Sequence, residues 1–431
     1  MVRAVRFTAG EVAQATGGRL VGNDVEIDGV GFDSRTIPPG HLFVPIVGDR
    51  DGHEFIDPDR GPYLTSREPI GGTAIVVVDT SAALLDLGRH ARSRLDGRVV
   101  GITGSVGKTT VKDLTKSILE QRFVTAASER SFNNEIGVPL TLANAPDDAE
   151  AVVVEMGARG PGHIALLCDV ARPTVGVVTA VGMVHTELFG TIDDVARGKA
   201  ELVESLPPKG TAILNSDDVL VAAMADRTDA AVFTYGDRGD VRAVDVRLDD
   251  ELRPSFTFVS PWGTVPVALS VRGVHQVSNA LAAGSAALAC GATLDDVAAG
   301  LWRAVLSPWR MEVGHTAAGA LVINDAYNAN PLSVSAALRS LALVDASRHI
   351  AFLGTMAELG ESSDAAHREM AELAESLGIV IVSVGEPAYG IETLASIEEA
   401  AARFELGMHD AVLVKGSRVA GLELLAELLQ R

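Results

Sequence analysis

The stretch Gly101-Ile-Thr-Gly-Ser-Val-Gly-Lys-Thr-Thr110 sets the fold class of this 431-residue chain. It opens on an apolar run, Val99–Thr103, that reads as a buried strand, and Val111, Leu114 and Ile118 after it fall on one face of a helix. A glycine-rich turn between strand and helix lets several backbone N–H groups converge on phosphate oxygens, with the positive end of the helix behind them. Lys108 adds a point charge and Thr109 a hydroxyl of the kind magnesium takes as a ligand. The run therefore predicts an α/β domain that binds a nucleotide through Thr103, Gly104, Ser105, Val106, Gly107, Lys108, Thr109 and Thr110. The alternative is an ordinary strand-to-helix turn in which Gly-Lys-Thr-Thr is coincidence. The strict spacing asks for glycine where Ile102 stands; Thr103-Gly104-x-x-Gly107-Lys108-Thr109-Thr110 fits instead.

Outward from the loop, short β-rich runs alternate with helical patterns along the whole chain. Toward the N-terminus, Val25–Phe32, Leu42–Val47 and Ala74–Val78 read as strands of a small α/β unit, and the helically spaced Ser81–Leu95 leads to the loop. Beyond the loop, Ala151–Met156, Val175–Val181 and Ala212–Leu214 read as further strands. The helices between them are long enough for right-handed crossovers, so the sheet is mostly parallel. Val241–Val271 reads as an antiparallel excursion before the alanine-rich helix Val277–Ala289. A last βα series begins near Ala320, with strands Leu321–Asn324, Ile350–Leu353, Ile379–Val384 and Ala411–Val414. Three domains follow, residues 1–97, 98–312 and 313–431, within the two or three that the length allows.

Ligands of an open parallel sheet sit beyond the carboxyl ends of its strands. Glu155 stands at one such end, His185 after a second, and Asn215, Asp217 and Asp218 after a third, so these side chains are candidates to face one phosphate site. A carboxylate suits magnesium better than a histidine does, and His185 taken alone reads as a structural residue.

Composition narrows the partners. Lys plus Arg less Asp plus Glu is 36 − 57 = −21, a charge that repels nucleic acid and anionic membranes. Hydrophobic residues at 47% and a mean hydropathy of +0.23 supply several cores and exclude global disorder. Cys168 and Cys290 are too few for a disulfide framework or a Cys-rich zinc site and fit a reducing compartment. The N-terminus lacks the apolar core of a signal peptide, and Val175–Val184 is half a membrane span. The expectation is a cytoplasmic monomer with no nucleic-acid or membrane partner.

The phosphate loop is joined by Ser131-Phe-Asn-Asn-Glu-Ile-Gly-Val-Pro139, Glu155-Met-Gly-Ala158, Gly182-Met-Val-His185, Ala196-Arg-Gly-Lys-Ala-Glu201 and Asp325-Ala-Tyr-Asn-Ala-Asn-Pro331. Together these segments resemble the Mur ligases. Asp33-Ser-Arg35 with Gly40-His-Leu-Phe-Val44, Gly354–Met370 and Lys415-Gly-Ser-Arg418 extend the resemblance over nearly the whole chain. It implies a small N-terminal α/β UDP-binding domain, a central phosphate-loop ATPase domain and a C-terminal Rossmann-like α/β domain. It also implies an ATP-dependent amide ligation. By that resemblance the terminal carboxylate of a UDP-N-acetylmuramoyl-tripeptide would attack the γ-phosphoryl of ATP, giving an acyl phosphate and ADP, and the amine of D-alanyl-D-alanine would then expel phosphate.

The resemblance also implies roles for single residues. Lys108, Thr109 and Mg2+ would neutralise the transferring phosphoryl group. Glu155 and His185 would help hold a second magnesium, and Lys199, carbamylated by carbon dioxide, would give that ion an anionic oxygen; taken alone it reads as a solvated helix lysine. Asn279, Arg310 and Asp325 match nucleotide contacts, with plain alternatives as a helix-start hydrogen bonder, a surface ion pair and a turn residue. Ser34 and Arg35 fall in the UDP-binding segment. Asn134, Tyr327, Asn328 and Asn330 are candidates for the acyl-acceptor side, although Asn-Ala-Asn-Pro also reads as a loop before a helix at Pro331. Thr355, Gln276 and Val106 depart from the family pattern, standing for an acidic residue, an asparagine and a small polar residue. Two rivals share the loop. A folylpolyglutamate synthase-like ligase would lack the 97 residues before it, and a nucleotide switch would not need a third domain reaching the nucleotide.

Overall fold

The structure, a computed structural model, describes residues 7–129, 131–182 and 190–431. The strand before the phosphate loop is Arg98–Thr103, buried from Val99 onward because helices cover both faces of its sheet. Six parallel strands form that sheet, in the order 231–235, 211–215, 175–178, 98–103, 151–155, 125–127. From Arg98–Thr103 the chain runs to 125–127 and 151–155 on one side and then crosses to 175–178 on the other, which opens a crevice above the carboxyl end of Arg98–Thr103. Glu155 pairs in register with Ile102, and Val178 with Thr103, so all three strand ends meet there.

Two edge strands, Thr125–Ala127 and Ala231–Tyr235, lie outside the sequence reading; the first is three half-exposed residues without an apolar run, and the second is apolar but mostly part-exposed, with only Tyr235 fully buried. The strand expected over Val175–Val181 stops at Val178, where Thr179 turns to hydrogen-bond the phosphate loop. One sheet face carries the helices Lys108–Leu119 and Gln276–Ala289, packed through Val111, Leu114, Ile118, Leu281 and Ala282. The antiparallel excursion forms as expected, with strands Arg242–Leu248, Pro254–Ser260 and Gly263–Ala268, and seals this core with Phe256 and Phe258.

The N-terminal unit has a five-stranded sheet, ordered 19–21, 74–76, 63–65, 42–43, 30–31, and a two-residue pair, Phe7–Thr8 with Glu26–Ile27. The expected strand Val25–Phe32 is thus two strands in different sheets, broken at Asp28-Gly29. Val30 explains the second half. Its N–H donates to Asn144 Oδ1 at 2.8 Å and its carbonyl accepts from Asn144 Nδ2 at 2.9 Å, tying it to the central domain. The helix Thr80–Arg94 continues the contact, and Leu64, Leu84 and Leu87 share one core with Val99, Val138, Val152 and Leu202.

The C-terminal sheet runs 312–315, 321–324, 410–415, 348–353, 380–384, 393–394, parallel except for its first strand. Two separate cores flank it, one under the helices Pro331–Leu341 and Ser363–Ser376, the other under Glu423–Leu429. Leu252, at a turn of the antiparallel excursion, inserts into the first of these.

Candidate active site

The phosphate loop is shaped by contacts to the segment after strand 175–178. Thr179 Oγ1 donates to the Val106 carbonyl at 2.5 Å, Ser105 N–H donates to the Ala180 carbonyl at 2.7 Å, and Ser105 Oγ exchanges hydrogen bonds with Gly182. Val106 takes part through its carbonyl, which is why an apolar side chain serves there. Gly104 has φ +146° and a methyl group on it would overlap Thr179 Oγ1; Gly107 has φ +81° and a Cβ would sit 2.6 Å from Asn279 Oδ1. Lys108 Nζ donates to the Gly104 carbonyl at 2.7 Å. Burial pushes its pKa down and the Arg310 guanidinium adds to that, against the Glu155 carboxylate.

Thr109 Oγ1 donates to Glu155 Oε2 at 2.7 Å, so the two oxygens the sequence offered to magnesium face one point. Asn133, which the sequence reading passed over for its neighbour, donates from Nδ2 to Glu155 Oε1 at 2.8 Å. Hard oxygen donors beside a phosphate loop fit magnesium, which keeps water and phosphate as its remaining ligands. Among the described residues no three His, Cys, Asp or Glu side chains cluster as a metal cage. His185 lies outside the described residues.

Lys199 sits in the helix Ile192–Glu204 and is 3% exposed. No described residue accepts a hydrogen bond from its Nζ. Burial, helped by the Lys108 charge, lowers its pKa from 10.5 to about 7. The solvated-lysine alternative is therefore overturned. The strand-end group Asn215, Asp217 and Asp218 is also corrected. Asn215 donates to the Thr179 carbonyl, Asp218 caps the helix Val219–Ala222 and accepts from Val181 N–H, and Asp217 accepts from Asp237 N–H. Their oxygens are spent on holding loops.

The third domain closes the site from above. Asp325 Oδ2 accepts from the buried Lys415 Nζ at 2.5 Å and Oδ1 from Met311 N–H, while Lys415 also donates to the Asn328 carbonyl. Tyr327 hydrogen-bonds Ser131 of the central domain and stacks under the Arg310 guanidinium at 4.2 Å. Among the described residues the buried Arg310 Nε has no hydrogen-bond partner, an arrangement unlike a surface ion pair. Asn279 donates to Gln276 Oε1 at 2.8 Å, and Gln276 reaches His275, which meets Ser340 of the third domain. Gln276, a departure from the family pattern, thus orients Asn279 toward Gly107. Thr355, another, offers its carbonyl to Ser417 N–H. Two acyl-acceptor candidates have local tasks: Asn330 caps the helix Pro331–Leu341, and Asn134 Oδ1 accepts from Ile136 and Gly137 N–H at the start of Gly137–Ala143.

In the N-terminal unit Arg35 forks onto Asp33 at 2.7 and 2.9 Å and holds that carboxyl down at about 2. Arg60 donates to the Ser34 and Ile37 carbonyls and, with Ser34, Pro38, His41 and Phe43, lines a cleft. Among the described residues none is a hydrogen-bond partner of the buried His41 Nδ1. The sequence reading named His41 only within its motif and did not name Arg60, whose position is set by a contact 26 residues away in the chain.

Residues 102–287 match the family model of the Mur ligase middle domain, and residues 309–418 that of the Mur ligase glutamate ligase domain. The UDP-N-acetylmuramoyl-tripeptide--D-alanyl-D-alanine ligase of Mycobacterium tuberculosis (strain CDC 1551 / Oshkosh) is 36% identical over 99% of this chain and 98% of its own. The crystal structure I of MurF from Acinetobacter baumannii superposes with a TM-score of 0.91 at 30% identity, covering 100% of both chains. MurF ligase from Thermotoga maritima, solved in complex with ADP, superposes at 0.83 with 28% identity over 93% of this chain and 97% of that one.

Proposed function

The chain belongs to the Mur ligase family, and on that premise we propose that it joins D-alanyl-D-alanine to a UDP-N-acetylmuramoyl-tripeptide, at the expense of ATP, in peptidoglycan precursor synthesis. The observation that carries this reading is a meeting of elements: phosphate loop, Glu155 and the third-domain loop Asp325–Pro331 converge above one strand end.

Phosphoryl transfer between two anions needs alignment and charge neutralisation more than a covalent nucleophile. The loop amides and Lys108 bind the phosphates, and Arg310, whose charge already reaches Lys108, adds a second cation from the domain junction. Asp325, held by Lys415, and Asn279, held by Gln276, would contact the nucleoside. Ser34, Arg35 and the cleft beside them would take the UDP end, leaving Tyr327 and Asn328 toward the acyl acceptor. Asn134 and Asn330 would act there mainly by fixing helix starts. Thr109, Glu155, His185 and a carbamylated Lys199 would hold Mg2+, which supplies positive charge at the transferring phosphoryl and acyl oxygens when bound. Burial of Lys199 and a pKa of about 7 support the carbamate, because carbon dioxide adds only to a neutral amine.

We keep the limits 1–97, 98–312 and 313–431 for the three domains; strand Glu312–His315 begins the last sheet at that second limit. Among the described residues no helix is long and apolar enough to cross a membrane. The cytoplasm remains our reading of its location, supported by the two buried free cysteines, and a monomer is the default we keep. Phosphate release with ATP, tripeptide substrate and D-alanyl-D-alanine, each omitted in turn, tests the function. Full turnover is expected only with all three; release that ignores the dipeptide would overturn it.

A further inference from the structure

The two oxygens of Glu155 are engaged differently. Oε2 meets the Thr109 hydroxyl at 2.7 Å, on the side of the phosphate loop, whereas Oε1 accepts the Asn133 amide N–H at 2.8 Å. Asn133 is itself locked in place. Its carbonyl accepts Gly157 N–H at 2.7 Å, and its side chain lies where a Cβ on Gly157 would stand, 2.9 Å from Cγ and Oδ1. The next residue, Asn134, anchors the start of the helix Gly137–Ala143, so the segment cannot slide along the strand end.

An amide donor competes with a cation for Oε1, whereas the donor on Oε2 is the Thr109 hydroxyl, which belongs to the same ion seat and can turn its proton away, so Oε2 is the oxygen open to a cation. Magnesium is small and demands near-octahedral geometry, so it takes carboxylates through a single oxygen; calcium is larger, accepts more ligands, and gains from a carboxylate that binds through both. We propose that Asn133 makes Glu155 a one-oxygen ligand and thereby sets the preference of this site for magnesium over calcium. The inference rests on the reading of Thr109 and Glu155 as an ion seat. Asn133 is a positioning residue here: it acts through Glu155, and being neutral it adds no second carboxylate that would favour the larger ion.

The test is ADP binding to the full chain by calorimetry, titrating Mg2+ or Ca2+, with no turnover needed. In the unsubstituted protein Mg2+ should support ADP binding at much lower concentration than Ca2+. Asn133→Leu keeps the volume but removes the donor, and should narrow that ratio roughly tenfold, the usual scale for loss of a partner behind a metal ligand. Gly157→Ala leaves Asn133 intact but displaces its amide, and should narrow the ratio in the same direction, so it carries the test if Asn133→Leu fails to fold. An unchanged Mg2+/Ca2+ ratio in a folded variant overturns the proposal, even if both affinities fall together. So does a raised KM for D-alanyl-D-alanine at unchanged ion preference, which would make Asn133 an acyl-acceptor contact. If neither ion affects ADP binding in the unsubstituted protein, the ion seat itself is wrong.

Discussion

On the proposed reading, chemistry and stability oppose each other at Lys199. Its pKa falls from 10.5 to about 7 on folding, so between those values the unfolded chain holds one more proton than the folded one, and stability rises with pH across that window. Lys199→Met removes the buried amine. It should flatten the rise in melting temperature between pH 7 and 10 and stabilise the metal-free protein at pH 7 by on the order of 1–2 kcal/mol, while abolishing ligation. Arginine keeps the charge but cannot be carbamylated, so Lys199→Arg should be as inactive as Lys199→Ala, and stripping carbon dioxide or moving from pH 8 to 6 should lower wild-type activity, with bicarbonate restoring it. Substantial turnover by the arginine variant would return Lys199 to a structural role. Lys108 is a simpler case. Among the described residues it donates to the Gly104 carbonyl alone, and truncation also removes a desolvated charge, so Lys108→Ala should shift stability by about 1 kcal/mol or less yet eliminate phosphate release.

At the scale of elements, the loop was legible because glycine is demanded where φ is positive and a neighbouring side chain packs against the backbone. A side chain at Gly107 would need φ +81° and would meet Asn279 Oδ1, so Gly107→Ala should lose ADP affinity in a calorimetric titration while circular dichroism stays native. Helix caps were less visible. Asn330 and Asn134 have the composition of ligand residues, but the structure turns their oxygens to the N–H groups of the helices they precede. Asn330→Ala should therefore cost about 1 kcal/mol in the urea transition of the third domain. Short edge strands escaped the sequence for a related reason: two or three half-exposed residues carry no periodicity, and only their neighbours in the sheet define them.

At the scale of the whole molecule, the three domains are not equally independent. The first shares a core with the second and is stitched to it through Asn144 and Val30, whereas the third has two cores of its own and touches the second through Leu252, Tyr327 and Ser340. Their junction is conformationally tense. Trp309 and Met311 flank Arg310 with φ +61° and +53°, values that bulky residues adopt at a cost and that third-domain contacts hold, the Trp309 carbonyl by Tyr327 N–H and Met311 N–H by Asp325. Nucleotide should therefore move the third domain as one body against the first two. Fluorescence pairs spanning domains two and three should change distance on adding ATP analogue and tripeptide substrate, and pairs spanning one and two should not; a change in the latter would break the shared-core argument.

The sequence by itself determined what depends on local chemistry: the strand, glycine turn and helix of the phosphate loop, the alternation of strand and helix that makes three α/β units, and the segments that carry the family resemblance. Those features are written in neighbouring residues, where periodicity and turn chemistry act. Tertiary structure alone decided which polar side chains are spent and which are free. Asp217 and Asp218 looked like phosphate-site residues and became loop anchors; Asn133, next to a residue singled out, became the partner of Glu155. It also decided that Lys199 is buried, because burial comes from chains packed around a helix and a lysine carries no mark of it in one dimension.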